Sequence, residues 1–209
     1  MSKHADTIYR TDVKFKQILM KDKWKICAID IGRKNFAVCI NNQDDKTEFV
    51  DKHEFRFSNP TELTAQITDY LKSIPILDAD VVVVESQFKE ATKNQKSQET
   101  VETFCNIVGI PYMRRSARNK TSSSYILDKI GMIRPDYKIN IPKTLKRRSI
   151  YFCKIYHEKH SNPVFQELFN KLKKKDDICD VLLMCLYENS VIKERKRIDS
   201  KKRKREDVN

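Results

Sequence analysis

The sequence predicts an α/β domain built on a five-stranded mixed sheet flanked by helices, and three observations predict it. Residues 26–31 (Ile-Cys-Ala-Ile-Asp-Ile) are apolar apart from Asp30, and Val81–Val84 form a second apolar run that ends on Glu85. Short apolar runs of this kind suit strands covered on both faces. Between them lies a passage with helical spacing, which favours a parallel crossover placing the later strand beside an earlier one.

The elements follow in order. Residues 1–23 are polar and mixed in charge, with weak helical spacing at Val13, Phe15, Ile18 and Leu19, and read as a loosely attached arm. The pattern turns to strand at Lys25, and Gly32 lets the backbone turn or approach a ligand closely. Residues 36–41 make a second strand, the polar segment 42–46 a turn, and residues 47–57 a third strand by rough alternation. These three strands form an antiparallel meander. Asn59-Pro60-Thr61-Glu62 starts a helix whose apolar stripe is Leu63, Ile67, Tyr70, Leu71 and Ile74, and Pro75 ends it. The Val81–Glu85 strand comes next. Residues 97–108 read as a helix closed by Gly109, and residues 110–113 as the fifth strand.

Beyond that strand, residues 114–124 (Arg-Arg-Ser-Ala-Arg-Asn-Lys-Thr-Ser-Ser-Ser) are either a solvated loop or a phosphate-binding loop. Residues 125–142 are irregular, 143–160 form a very basic helix, and 164–172 a short one after Asn162-Pro163. The last helix carries the stripe Ile178, Val181, Leu182, Cys185 and Leu186. From Lys193 the chain is a run of basic residues, read as a disordered tail that serves nuclear import or nonspecific DNA binding. The expected layout is an arm at 1–23, one domain at 24–192 and a tail at 193–209.

Composition narrows the partners. The chain has 209 residues and a formal charge of +13, which points to a polyanion, nucleic acid before membrane. No apolar run reaches the length of a membrane span and no signal-peptide core opens the chain, so a soluble, intracellular protein is expected. The six cysteines are scattered without a Cys-x-x-Cys pair and read as reduced thiols. Cys153, His157 and His160 share a helix face but lack a fourth ligand for structural zinc.

The acids carry the chemistry. A carboxylate near the end of a buried strand is costly unless it meets a metal or another cation, and Asp30 and Glu85 both stand there. On the last helix Asp177 and Asp180 lie roughly 60° apart on one face, with Asp176 a little farther round. Helix capping explains one or two of these aspartates, but Asp180 sits a turn inside. Acids at the carboxyl ends of neighbouring strands converge in open α/β sheets. Four carboxylates without histidine suit Mg²⁺ or Mn²⁺, and two such ions roughly 4 Å apart activate water and stabilise a leaving oxygen in phosphodiester hydrolysis.

The order Asp-x-Gly at Asp30, Glu-Ser-Gln at Glu85 and Asp-x-x-Asp at Asp177 and Asp180 resembles the RuvC-type Holliday junction resolvases of the RNase H-like superfamily. The details (Ala-Ile-Asp-Ile-Gly-x-x-Asn, Val-Val-Glu-Ser-Gln, Lys-Lys-Asp-Asp-x-x-Asp) are most similar to the branch in poxviruses, related large DNA viruses and fungal mitochondria. The resemblance spans residues 25–187. It implies an RNase H-like fold and a Mg²⁺-dependent homodimer, with Mn²⁺ able to substitute, that resolves four-way DNA junctions by paired nicks. Asp30, Glu85, Asp177 and Asp180 take the metal-ligand roles, and a lysine acts near the scissile phosphate. Lys120 is the first candidate for that lysine and Lys146 the second. The basic residues expected at DNA are Arg114, Arg115, Arg118, Lys120, Lys146, Arg147 and Arg148. The place of action is host cytoplasm for a poxviral protein, or nucleus or mitochondrion for a cellular one.

Three other readings compete. Asp-Ile-Gly also opens the phosphate motif of the sugar kinase and actin fold, but the three glycines of this chain cannot supply its further loops. A nuclease of the same fold acting on RNA or flaps shares the acids. A non-catalytic nucleic-acid scaffold accounts for the basic loops but gives no reason to keep four acids that repel DNA.

Overall fold

A computed structural model describes residues 17–32, 36–87, 92–116, 124–129 and 142–206. The five strands are β1 (Lys25–Asp30), β2 (Phe36–Asn42), β3 (Thr47–His53), β4 (Val81–Glu85) and β5 (Tyr112–Arg115). They form one sheet in the order β3-β2-β1-β4-β5. β1 is antiparallel to β2 and parallel to β4, and β5 is parallel to β4. The meander and the parallel crossover are therefore both present. β3 is shorter than expected, and β5 starts at Tyr112, so Arg114 and Arg115 are strand residues rather than the start of a loop.

Alternation along the strands feeds two cores. Ile26, Ala28, Ala37, Cys39, Val81, Val83 and Met113 face one layer of helices. Cys27, Ile29, Val38, Ile40, Val82 and Val84 face the other. The four valines of β4 are at most 1% exposed, and each contributes about 1.5 kcal/mol by leaving water. A charge at Val82 or Val83 would break the sheet at its centre.

The second core is covered by α1 (Pro60–Ser73) and α2 (Thr92–Val108). α1 is capped by Asn59, whose Oδ1 accepts from the Glu62 amide at 2.9 Å, while Glu62 Oε2 accepts from the Ser58 amide, one residue before the cap, at 2.7 Å. Gly109, at φ +79°, supplies the left-handed residue that ends α2. A short helix, α3 (Ser124–Lys129), buries Ile126 in the first core. The rest of that face is covered by α4 (Leu145–Lys159), α5 (Pro163–Lys171) and α6 (Asp176–Glu206).

Two expectations need correction. The arm was expected to be loose, yet Ile18 is 2% exposed in the core, and Asp80 binds both the Lys21 ammonium and the Lys25 amide. Its first 16 residues lie outside those described. The segment from Lys193, expected to be disordered, continues α6 to Glu206. That stretch contains no Gly or Pro, is rich in Lys, Arg and Glu, and carries the Glu194–Arg197 pair one turn apart at 2.6 Å.

α6 is pinned along the sheet. Asn189 accepts from Trp24 Nε1 at 2.8 Å and donates to the Asn42 carbonyl and to buried Asp45. The helix thus begins over the carboxyl end of β1 and passes its amino end a dozen residues later. Among the described residues no helix is long and apolar enough to cross a membrane.

Candidate active site

The strand register builds the site. Asp30 pairs with Ala37, Ala37 pairs with Lys52, and Glu85 pairs with Arg115. Asp30 and Glu85 each stand one residue past the parallel pair Ile29 and Val84, on strands about 4.8 Å apart. One row therefore crosses the sheet: Lys52, Ala37, Asp30, Glu85, Arg115. Alternation puts all five on the face covered by α6, because Ala28, Val83 and Met113, two residues earlier on their strands, belong to that core. The segment after Glu85 is fixed by hydrogen bonds: the Ser86 amide donates to the Arg115 carbonyl at 2.8 Å, and the Gln87 amide to Gln98 Oε1 at 3.1 Å.

The first turns of α6 add Asp176, Asp177 and Asp180. Asp177 Oδ2 lies 2.6 Å from Lys52 Nζ, with both side chains 12% exposed. Lys174 Nζ bonds the same carboxylate at 3.1 and 3.2 Å and lies 3.7 Å from Asp176. Burial pulls the Lys174 ammonium down, but its bond to Asp177 and the charges of Asp177, Asp176 and Asp30 outweigh this, so its pKa lies above the ordinary lysine value. Asp30 and Asp177 therefore act on one cation. Asp180 is half-buried beside α4: burial, then Cys179, then the Asp180 charge push the Cys153 thiol up.

These carboxylates suit a divalent cation in their chemistry, being all-oxygen donors for a hard ion. A cation already stands there, since the Lys174 ammonium bonds Asp177 and lies 3.7 Å from Asp176. The side chains do not yet converge: among the described residues no three His, Cys, Asp or Glu groups meet closely enough to hold a metal.

The expected basic residues divide. Lys146 and Arg147 are exposed at the start of α4, and Lys146 Nζ lies 3.2 Å from Asp176 Oδ2, next to the acids. Arg148 is half-buried and donates to the Pro142 carbonyl at 3.3 Å. Arg114 binds Glu102 through two bonds of 2.6 and 2.7 Å. Arg115 is 8% exposed and forks onto Glu188, itself 1% exposed. Its expected place at DNA is corrected, because its strand position turns it into the core. Lys120 and Arg118 lie outside the described residues. Sequence reasoning missed Lys52 and Lys174. Counting the hairpin register from Asp30 through Ala37 finds the first, and the Lys173-Lys174-Lys175 run before the aspartates signals the second.

Comparison with known proteins now adds to the geometry. The family model described as "Poxvirus A22 protein" matches residues 25–193, most of the chain. The chain belongs to the poxvirus A22 protein family. No curated protein matches it. Among solved structures, this family member resembles the fowlpox virus resolvase in complex with Holliday junction DNA, at 21% identity and a TM-score of 0.55 over 80% of this chain and 98% of the other. The fowlpox virus Holliday junction resolvase alone gives 22% identity and a TM-score of 0.53 over 80% and 99%. RuvC of T. thermophilus with a Holliday junction substrate gives 11% identity and 0.50 over 78% and 91%. At these identities the likeness establishes the fold, the RuvC-like branch of the RNase H fold.

Proposed function

We infer that this chain is a Holliday junction resolvase, a divalent-metal-dependent endonuclease that binds branched DNA and resolves four-way junctions. The observation that carries the reading is the placement of Asp30 and Glu85, each one residue past the Ile29–Val84 pair on adjacent strands, at the end of the sheet where α6 starts with Asp177 and Asp180. Membership of the poxvirus A22 protein family over residues 25–193 supports it. The resolvase and RuvC folds of the neighbours agree.

Asp30, Glu85, Asp177 and Asp180 are the residues that would hold Mg²⁺, as two ions, with Mn²⁺ as a substitute. When bound, such ions lower the pKa of water and stabilise charge on the phosphate oxygens. The protein supplies the rest. Lys146 and Arg147, exposed beside the acids, hold the DNA backbone against their repulsion. Lys146, already within reach of Asp176, suits the role of the lysine at the scissile phosphate, with Lys120 the other candidate. Buried Ile29 and Val84, just before Asp30 and Glu85, keep the floor of the site rigid. Each chain carries one such acid group, so two opposed nicks on a two-fold junction call for a homodimer. Membership of a poxviral family supports action in the host cytoplasm.

The test is cleavage of an end-labelled four-way junction with Mg²⁺ and with excess EDTA. Paired, symmetric nicks that need the metal are expected, and Asp30→Asn, Glu85→Gln and Asp180→Asn each abolish them while junction binding persists. Cutting confined to RNA or flaps, or near-parental nicking by Asp30→Asn, overturns the assignment.

A further inference from the structure

Asp177 is held by two ammonium groups of unlike exposure. Lys52 approaches Oδ2 at 2.6 Å with a side chain only 12% exposed. Lys174 bridges both oxygens with a side chain 49% exposed. Lysine is seldom buried to this degree unless paired. Lys52 starts from β3, two strands away from Asp30, and its neighbour in the row is fully buried Ala37. A side chain that ends at Cβ leaves the way across β2 clear for a four-carbon stem.

We propose that Lys52 is the positioning residue of Asp177: its buried ammonium holds Oδ2 and leaves Oδ1, now bonded by Lys174, to a divalent cation, so that the exposed Lys174 is the group the cation displaces. The proposal rests on the metal-centre reading above. Lys52 stays because leaving would strand a buried charge. Lys174 moves because solvent is at hand for its ammonium. A positive charge so near a metal also repels it, so Lys52 has opposing effects on affinity, and the direction of change on its removal decides between them. Groups that orient a ligand typically matter by about 10- to 100-fold in metal affinity.

The experiment is Mn²⁺ titration of the full chain without DNA, read by electron paramagnetic resonance. Lys52→Met is expected to weaken Mn²⁺ binding by about tenfold or more, and Lys52→Arg, which restores a cation, to recover most of the loss. Lys174→Met is expected to bind Mn²⁺ more tightly than the parent, because a competitor is gone. Parental or tighter binding by Lys52→Met overturns the proposal, and tighter binding makes Lys52 a second competitor. If thermal melting shows Lys52→Met unfolded, Lys174→Met carries the test, and parental or weaker Mn²⁺ binding by it overturns the proposal. Asp30→Asn separates the two levels: parental Mn²⁺ affinity in that variant defeats the metal-centre reading itself. Loss there with no change in Lys52→Met defeats the positioning role alone.

Discussion

Glu188→Gln is expected to cost this fold a large part of its stability. Glu188 is 1% exposed and receives Arg115 Nε and Nη2, the second bond at 3.1 Å, so the pair ties β5 to α6 inside the core. Neutralising Glu188 takes a charge away from a buried guanidinium that two bonds tie to it, a loss of about 3–5 kcal/mol. For a domain of this size each kcal/mol moves the melting temperature by about 2–4 °C, so a drop of about 6–20 °C follows. Replacing both residues with apolar side chains, Arg115→Met with Glu188→Leu, should recover most of that loss, because the desolvation cost disappears with the charges. Circular dichroism melts of the parent, both single variants and the double variant complete a double-mutant cycle. Junction affinity of the double variant should stay near parental. Melting of Glu188→Gln within about 2 °C of the parent, or a large loss of junction affinity in the double variant, would return Arg115 to the DNA surface.

Three further outcomes follow. His157 stacks on Phe165 at 4.7 Å, and burial pulls its pKa down to about 4, so the unfolded chain takes up a proton first as pH falls. Its contribution is complete above about pH 6.5 and is lost toward pH 4, by about 1 kcal/mol once partial exposure is allowed for; denaturant melts at pH 7.5 and 4.5 should show His157→Phe losing less than the parent. Lys146→Ala should lower the single-turnover nicking rate at saturating enzyme by more than tenfold, about 1.4 kcal/mol, whereas a slow Lys120→Ala with parental Lys146→Ala would give Lys120 the role. Replacing Lys201, Lys202 and Arg203 with Gln should flatten the salt dependence of duplex binding by about 0.9 in log–log slope for each phosphate left without its cation, and unchanged slopes would exclude that segment from DNA.

The acids were legible because each breaks a rule that its neighbours keep. Asp30 and Glu85 interrupt or end apolar runs, and Asp180 lies a turn inside an amphipathic helix, where capping no longer accounts for it. The strand–helix–strand passage read correctly, since length and periodicity suffice to choose a parallel crossover. What stayed hidden depends on register. Lys52 becomes significant only once Asp30, Ala37 and Lys52 are seen in one row. Arg115 reads from sequence as a DNA-facing arginine of a loop, and it takes the end of β5, two residues farther than expected, to turn it toward Glu188. Asp45 read as a polar turn residue but is 2% exposed, because α6 reaches it through Asn189 and Lys193 from nearly 150 positions away. Local pattern holds no trace of such a partner.

α6 has a polarity that bears on how the fold tolerates its own chemistry. Its first residues are Asp176 and Asp177, and its last stretch holds Lys201, Lys202 and Arg203. Aligned peptide dipoles give a helix about half a positive charge at its start and half a negative charge at its end, so both groups sit where the backbone potential favours them, by about 0.3–1 kcal/mol per charge. Asp30 and Glu85 have no such offset at their strand ends. The two halves of the acid site are therefore unequal for folding: carboxylates on the helix help to start it, and those on the strands draw no such help from the backbone. Asn at Asp30 or Gln at Glu85 leaves the helix start as it is, whereas Asn at Asp177 removes a charge that the backbone favours. Of the variants that lose the acid chemistry, those changed on the strands should keep the firmer start to α6.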